Sequence, residues 1–180
     1  KYNRSEVYNK KIKNLSKVIS GIGFEETKTL PTIVGLCEVE NKNVVEDLIN
    51  SDLLKNANYG ISHFDSPDER GIDVALIYRK NIFKILNENS AYLELKYASG
   101  KINYTRDQLV VSGLLDGELI HIIVNHWPSR GADETKRIAA AEVNNSIIDS
   151  LRNIHNDPKI ITMGDFNDDP SDKSVALISS

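Results

Sequence analysis

The chain has 180 residues, of which 40% are apolar and 27% charged; this is the composition of one folded domain and lacks the biases of disordered, fibrous or membrane proteins. A net charge of −4 argues against a protein that holds nucleic acid mainly by a basic surface, because non-specific affinity for a polyanion comes from Lys and Arg releasing counterions. The one cysteine, Cys37, rules out an intrachain disulfide, and no apolar run approaches the roughly 18 residues of a membrane span.

The first segment places Tyr8, Ile12, Leu15, Ile19 and Ile22 at helical spacing, with Ser5 as N-cap and Gly21 and Gly23 as stops, which predicts a helix over 5–21. Lys1, Arg4, Lys10, Lys11, Lys13 and Lys17 give it a basic, solvated face. Residues 32–37 follow as a short apolar run with no polar side, the pattern of a strand covered on both faces, and the run ends on Glu38. Helical spacing returns over 43–55, a strand is expected near 58–64, and Asp65-Ser66-Pro67-Asp68 is turn-rich. Residues 72–78 and the extended stretch 82–95 read as strands. Segments 109–115 and 118–125 flank Asp116-Gly117, the strongest hairpin signal in the chain. A long helix is expected over 133–153 with Ile138, Ala141, Ile147, Ile148 and Leu151 inward. A buried strand over 159–163 then delivers Gly164-Asp165-Phe166-Asn167, and another helix begins at Asp172. This succession predicts a single α/β domain, a layered α/β sandwich with mixed, largely antiparallel sheets.

Three strand ends carry residues suited to phosphate chemistry. Glu38 leaves an apolar strand where a carboxylate can reach a crevice without being buried unpaired. Hard cations such as Mg²⁺ take oxygen ligands of this kind, usually one or two from protein. Asp165 and Asn167 are spaced by two, offering a carboxylate to take a proton or bind a metal and a neutral amide to hold a phosphate oxygen; an Asx turn leading into a loop accounts equally well for the pair. Asn125 and His126 close the second hairpin strand, and a histidine there can donate to a phosphoryl oxygen or act as acid. His121, inside that strand, is expected to find a neighbour across the sheet, and neither it nor His155 is assigned a role.

Taken together, Gly35-Leu36-Cys37-Glu38-Val39-Glu40, Arg70-Gly71-Ile72-Asp73-Val74-Ala75, Val124-Asn125-His126-Trp127 and Gly164-Asp165-Phe166-Asn167-Asp168 resemble the endonuclease/exonuclease/phosphatase superfamily over at least residues 32–172. The resemblance implies a metal on Glu38, Mg²⁺ or Mn²⁺, and a phosphate-ester substrate, with nucleic acid among the candidates. It matches Asp165 and Asn167 to the pair that orients the attacking water and the scissile phosphate, and His126 to a phosphate-contacting histidine, with Asn125 beside it as a substrate contact. Asp73 becomes the acid that would orient His126. Arg106 becomes a phosphate contact, unless it only pairs with the adjacent Asp107.

The family pattern also includes an asparagine on a first strand and a closing Ser-Asp-His motif, and neither stands in this sequence. The expected fold is therefore incomplete at both termini, with a catalytic set that is nearly inactive alone and an exposed sheet edge that invites self-association. The function expected of the parent protein is metal-dependent hydrolysis of phosphate esters, as a phosphodiesterase or nuclease. A non-catalytic binding or scaffold module that retains the fold is the alternative.

Overall fold

The computed structural model describes residues 3–97 and 99–178. Lys1 and the last two residues of the expected final helix lie outside that range. Helix α1 (Arg4–Gly21) begins one residue earlier than expected, and Asn3, not Ser5, is the N-cap, its side chain accepting from the backbone N–H of Ser5. A short α2 (Phe24–Thr27) leads into β1 (Ile33–Val39) and α3 (Lys42–Ile49), which is capped by the Asn41 side chain at the N–H of Val44. Strands β2 (Tyr59–His63) and β3 (Asp73–Arg79) complete an antiparallel sheet of order β1-β3-β2.

The second sheet has the order β4-β7-β8-β9, from β4 (Phe83–Ala91), β7 (Gln108–Leu115), β8 (Glu118–His126) and β9 (Lys159–Asp165). Its pairs are antiparallel except β8 with β9, which run parallel across the crossover helix α4 (Glu134–Ile154). The β7–β8 turn is built as expected, with Asp116 and Gly117 both at positive φ, the twist a two-residue hairpin loop needs. The expected long strand over 82–95 divides: β4 ends at Ala91, and β5 (Leu95–Lys96) pairs with β6 (Ile102–Asn103) as a small hairpin that no apolar periodicity announces. A last helix, α5 (Lys173–Ile178), packs on α4.

Side-chain alternation along the strands sorts the core into layers. On β1 and β3, Val34, Leu36, Ala75 and Ile77 face α1 and α3, where they meet Ile19, Val45 and Leu48. Ile33, Cys37, Val74 and Leu76 face the second sheet and pack on Leu109, Val111, Ile120, Ile122 and Val124. On the far side of that sheet, Val110 and Ile123 meet Ile148 of α4. The result is helices, sheet, sheet, helices. α4 carries a more polar buried face than expected: Arg137 and Asn144 are buried with Ala140, Ala141 and Ile148, while Ile138, Ile147 and Leu151 are only half-buried. His121 bonds Ser112 directly across the β7–β8 pair, and burial, then the neighbouring His155, lowers its pKa. β9 stands at the edge of its sheet, with Ile161 exposed.

Gly164 lets β9 approach β8 closely near the end of the pair. It lies at φ 128°, and a Cβ there would sit 2.0 Å from the carbonyl oxygen of Asn125. A side chain would force β8 and β9 apart where their ends meet. Gly164→Ala is expected to lower stability by more than about 2 kcal/mol, combining backbone strain and a backbone clash, as measured by chemical denaturation.

Candidate functional site

The parallel register brings His126 opposite Asp165 at the ends of β8 and β9. The Nε2 of His126 lies 3.9 Å from Oδ2 of Asp165, a carboxylate about half exposed. His126 itself is 5% exposed, and its buried Nδ1 has no hydrogen-bond partner among the described residues. Burial, then the nearby Arg106 charge, lowers its pKa, with Asp165 and Glu38 opposing in part. Asp165 turns back on its own loop: its Oδ1 accepts the backbone N–H of Asn167 at 3.0 Å. This is the Asx turn that the spacing allowed. Asn167 sits at φ 53° and donates from Nδ2 to the carbonyl of Trp127 at 2.9 Å.

Glu38 reaches the same rim through a defect in β1. The register slips between Cys37 and Val39, and Glu38 takes φ 59°. Without that bulge, alternation would send Glu38 after Val34 and Leu36 toward the helices, and Val39 after Cys37 toward the second sheet. The extra residue reverses both: Val39 is buried against the helices, and the Glu38 carboxylate stands 62% exposed, 3.8 Å from Nη1 of Arg70. Glu38 and Asp165 are exposed oxygen donors at one rim, which suits a hard divalent cation such as Mg²⁺.

Three expected roles change. Asn125, expected to contact substrate, is fully buried on the α4 side of β8, because alternation turns it opposite to His126. Its amide donates to Thr162 Oγ1 at 2.9 Å, and its oxygen accepts from Trp127 Nε1 at 3.0 Å and Asn144 Nδ2 at 3.1 Å. Asp73 does not orient His126. It faces the helix side of its sheet, where Oδ2 meets His63 Nε2 at 3.1 Å and Oδ1 accepts from the Ser66 N–H and hydroxyl. Arg106 is 7% exposed and pairs not with Asp107, which accepts from Ser90, but with Asp68, Nη1 to Oδ1 at 3.3 Å. Its Nη2 donates to the Trp127 carbonyl at 2.6 Å, so the guanidinium braces the site from inside.

His63, Asp65 and Asp73 bring three ligand-type atoms within 4.8 Å of one another. The Asp73 oxygens are already engaged by His63 and Ser66.

The loops behind the rim are strapped by charges that local sequence does not announce. Arg137 of α4 donates from Nε to Asp168 Oδ2 at 2.7 Å and from Nη1 to the carbonyls of Ser129 and Ala132. Ser174 donates to the same Asp168 oxygen, and Arg130 bridges to Asp169 and Asp172. A cavity of about 290 Å³ opens beside Arg106, lined by Asp68, Arg70, Tyr104, Ser129 and Lys136 among others. A larger one of about 590 Å³ lies by Pro158 and His155, at the opposite end of β9 from Asp165.

A helix-flanked pair of sheets with acid, imidazole and amide gathered at one rim has the architecture of a phosphoesterase-type α/β sandwich. The profile described as Endonuclease/Exonuclease/phosphatase family matches residues 1–178, and the chain belongs to that family. No curated protein matches the chain. Among solved structures it is similar to zebrafish (D. rerio) TDP2 complexed with single-strand DNA product, at 16% identity and TM-score 0.62 over 93% of this chain and 58% of that one. The human nocturnin catalytic domain with bound sulfate matches at 22% identity and TM-score 0.61, over 93% and 62%. A mannosyl-6-phosphatase from Bacteroides thetaiotaomicron matches at 14% identity and TM-score 0.67, over 95% and 61%. The chain thus spans about three fifths of the length of these structures.

Asn125→Ala would leave the Trp127 indole N–H and the Asn144 amide without their shared buried acceptor. The expected outcome is a loss of about 2 kcal/mol or more in unfolding free energy, measured by denaturant titration.

Proposed function

We propose that the protein containing this chain hydrolyses phosphate esters by in-line attack of water with a divalent cation, Mg²⁺ or Mn²⁺, held at Glu38. The observation that carries the reading is the convergence of Glu38, His126, Asp165 and Asn167 at one rim, from three strand ends far apart in sequence. When bound, the cation would supply positive charge against the charge that develops on the phosphoryl oxygens.

The chain's own residues divide the remaining work. Asp165 keeps Oδ1 on the Asn167 N–H and presents Oδ2 to solvent, where it can orient a water molecule and accept its proton. His126 can donate a hydrogen bond to a phosphoryl oxygen, and the burial that pushes its pKa down disfavours an added positive charge beside Asp165 and Glu38. Asn167 uses one amide hydrogen on Trp127 and retains its amide oxygen and a second N–H for substrate. Arg70, half exposed beside Glu38, is the cation best placed to meet an approaching anion.

The finer reading is a phosphodiesterase acting on nucleic acid. It is supported by the shared fold of a relative solved with single-strand DNA product. The net charge of −4 is compatible with it if contact is confined to the metal-bearing rim rather than spread over a basic surface.

In the full-length protein, Asp165→Asn is expected to lower kcat by about 10²-fold or more, the usual contribution of a positioned base, with an unchanged circular dichroism spectrum. The assay uses a panel of phosphomonoesters and phosphodiesters, with and without chelator. Undiminished, chelator-sensitive turnover by the variant would sink the assignment.

A further inference from the structure

We propose that Asp68 is the positioning residue that ties the two halves of the site together, an inference that rests on the phosphoesterase reading for its kinetic consequence but not for its structural one. Asp68 belongs to the turn-rich segment between β2 and β3, and its side chain is only 4% exposed. Its two carboxylate oxygens serve different halves of the rim. Oδ1 accepts from Nη1 of the buried Arg106 at 3.3 Å, and Oδ2 accepts from the backbone N–H of Arg70 at 2.9 Å.

Each connection continues to a candidate site residue. On one side, Arg106 donates from Nη2 to the carbonyl of Trp127 at 2.6 Å, and that oxygen also accepts Nδ2 of Asn167 at 2.9 Å. One backbone carbonyl therefore fixes the Asn167 amide and is itself fixed by Arg106. On the other side, the Arg70 backbone held by Asp68 carries the guanidinium that stands 3.8 Å from Glu38. The path from Glu38 to Asn167 thus runs Arg70, Asp68, Arg106, Trp127, and Asp68 is its midpoint.

The chemistry requires a carboxylate at that midpoint. Both oxygens act as acceptors at once, and the partner on one side is a buried guanidinium whose Nε has no hydrogen-bond partner among the described residues. An amide in place of the carboxylate would offer one acceptor and one donor, so either Arg106 or the Arg70 N–H would face an N–H group. It would also leave the Arg106 charge uncompensated in the interior. The Trp127 carbonyl would then lose its firm donor, and Asn167 would be free to shift.

The test is Asp68→Asn in the full-length protein, with two readouts. For the phosphate ester the wild type turns over, kcat should fall about 10- to 100-fold, the size of effect that follows a small misplacement of a reacting group, while KM stays within about threefold. By NMR, the side-chain amide of Asn167 should move and lose protection from solvent exchange, although Asp68 does not touch it. Unchanged kcat with an unmoved Asn167 amide overturns the proposal, as does a rise in KM alone, which would make Asp68 a substrate contact. Should Asp68→Asn fail to fold, Arg106→Lys keeps the charge but removes the planar fork, and the same pair of changes is expected of it. If wild type hydrolyses no phosphate ester, the phosphoesterase reading fails and the Asn167 amide alone decides the present one.

Discussion

Two sheets packed face to face leave each strand residue two destinations, the space between the sheets or the side covered by helices, and a step of one residue exchanges them. The candidate site depends on this constraint. His126 and Asp165 end their strands on the side facing the other sheet, in line with Val124 and Met163. Asn125, one residue away, ends on the opposite side and becomes part of the interior. Glu38 would be on the wrong side by the same rule, and a single bulge corrects it. The metal-type ligand and the imidazole therefore share a rim because one strand is regular and the other is not.

Buried charge is handled in pairs. Asp68 holds Arg106 and Asp168 holds Arg137, each acid nearly inaccessible. Such pairs add little net stability over apolar packing, but removing one partner strands a charge and costs about 3–5 kcal/mol. Their value here is geometric. Both arginines end on backbone carbonyls of the 127–132 segment, Arg106 on Trp127 and Arg137 on Ser129 and Ala132. A loop with little regular hydrogen bonding is fixed from two directions by donors that hold their own shape.

Much of the fold was legible because it is written in local periodicity. The helices α1 and α4 carry a repeat of 3.6 residues, the β7–β8 hairpin carries the Asp116-Gly117 turn dipeptide, and β1 and β9 show as short unbroken apolar runs. The site was legible to the extent that strand ends were: Glu38, His126, Asp165 and Asn167 do gather at one rim. What failed was side. Asn125 and Asp73 have the right residue types near the right place, but which sheet face they take depends on register and on which face meets the partner sheet. Neither is encoded in a short window. Arg106 failed for another reason, since its partner Asp68 is 38 residues away and the adjacent Asp107 was the visible alternative. The β5–β6 hairpin, two residues on each side, is too short to show any period.

Trp127 shows what this economy of parts brings with it. It is the chain's single tryptophan, it is fully buried, and its ring packs edge-on to Phe166 with centroids 4.8 Å apart. Its indole N–H is bound by Asn125, and its backbone oxygen is the point where Arg106 and Asn167 meet. The molecule thus carries an intrinsic chromophore whose two polar groups touch the buried amide knot on one side and the candidate site on the other. Tryptophan emission from this chain is therefore a local signal, reporting on the junction between the buried amides and the candidate site rather than on the globule at large.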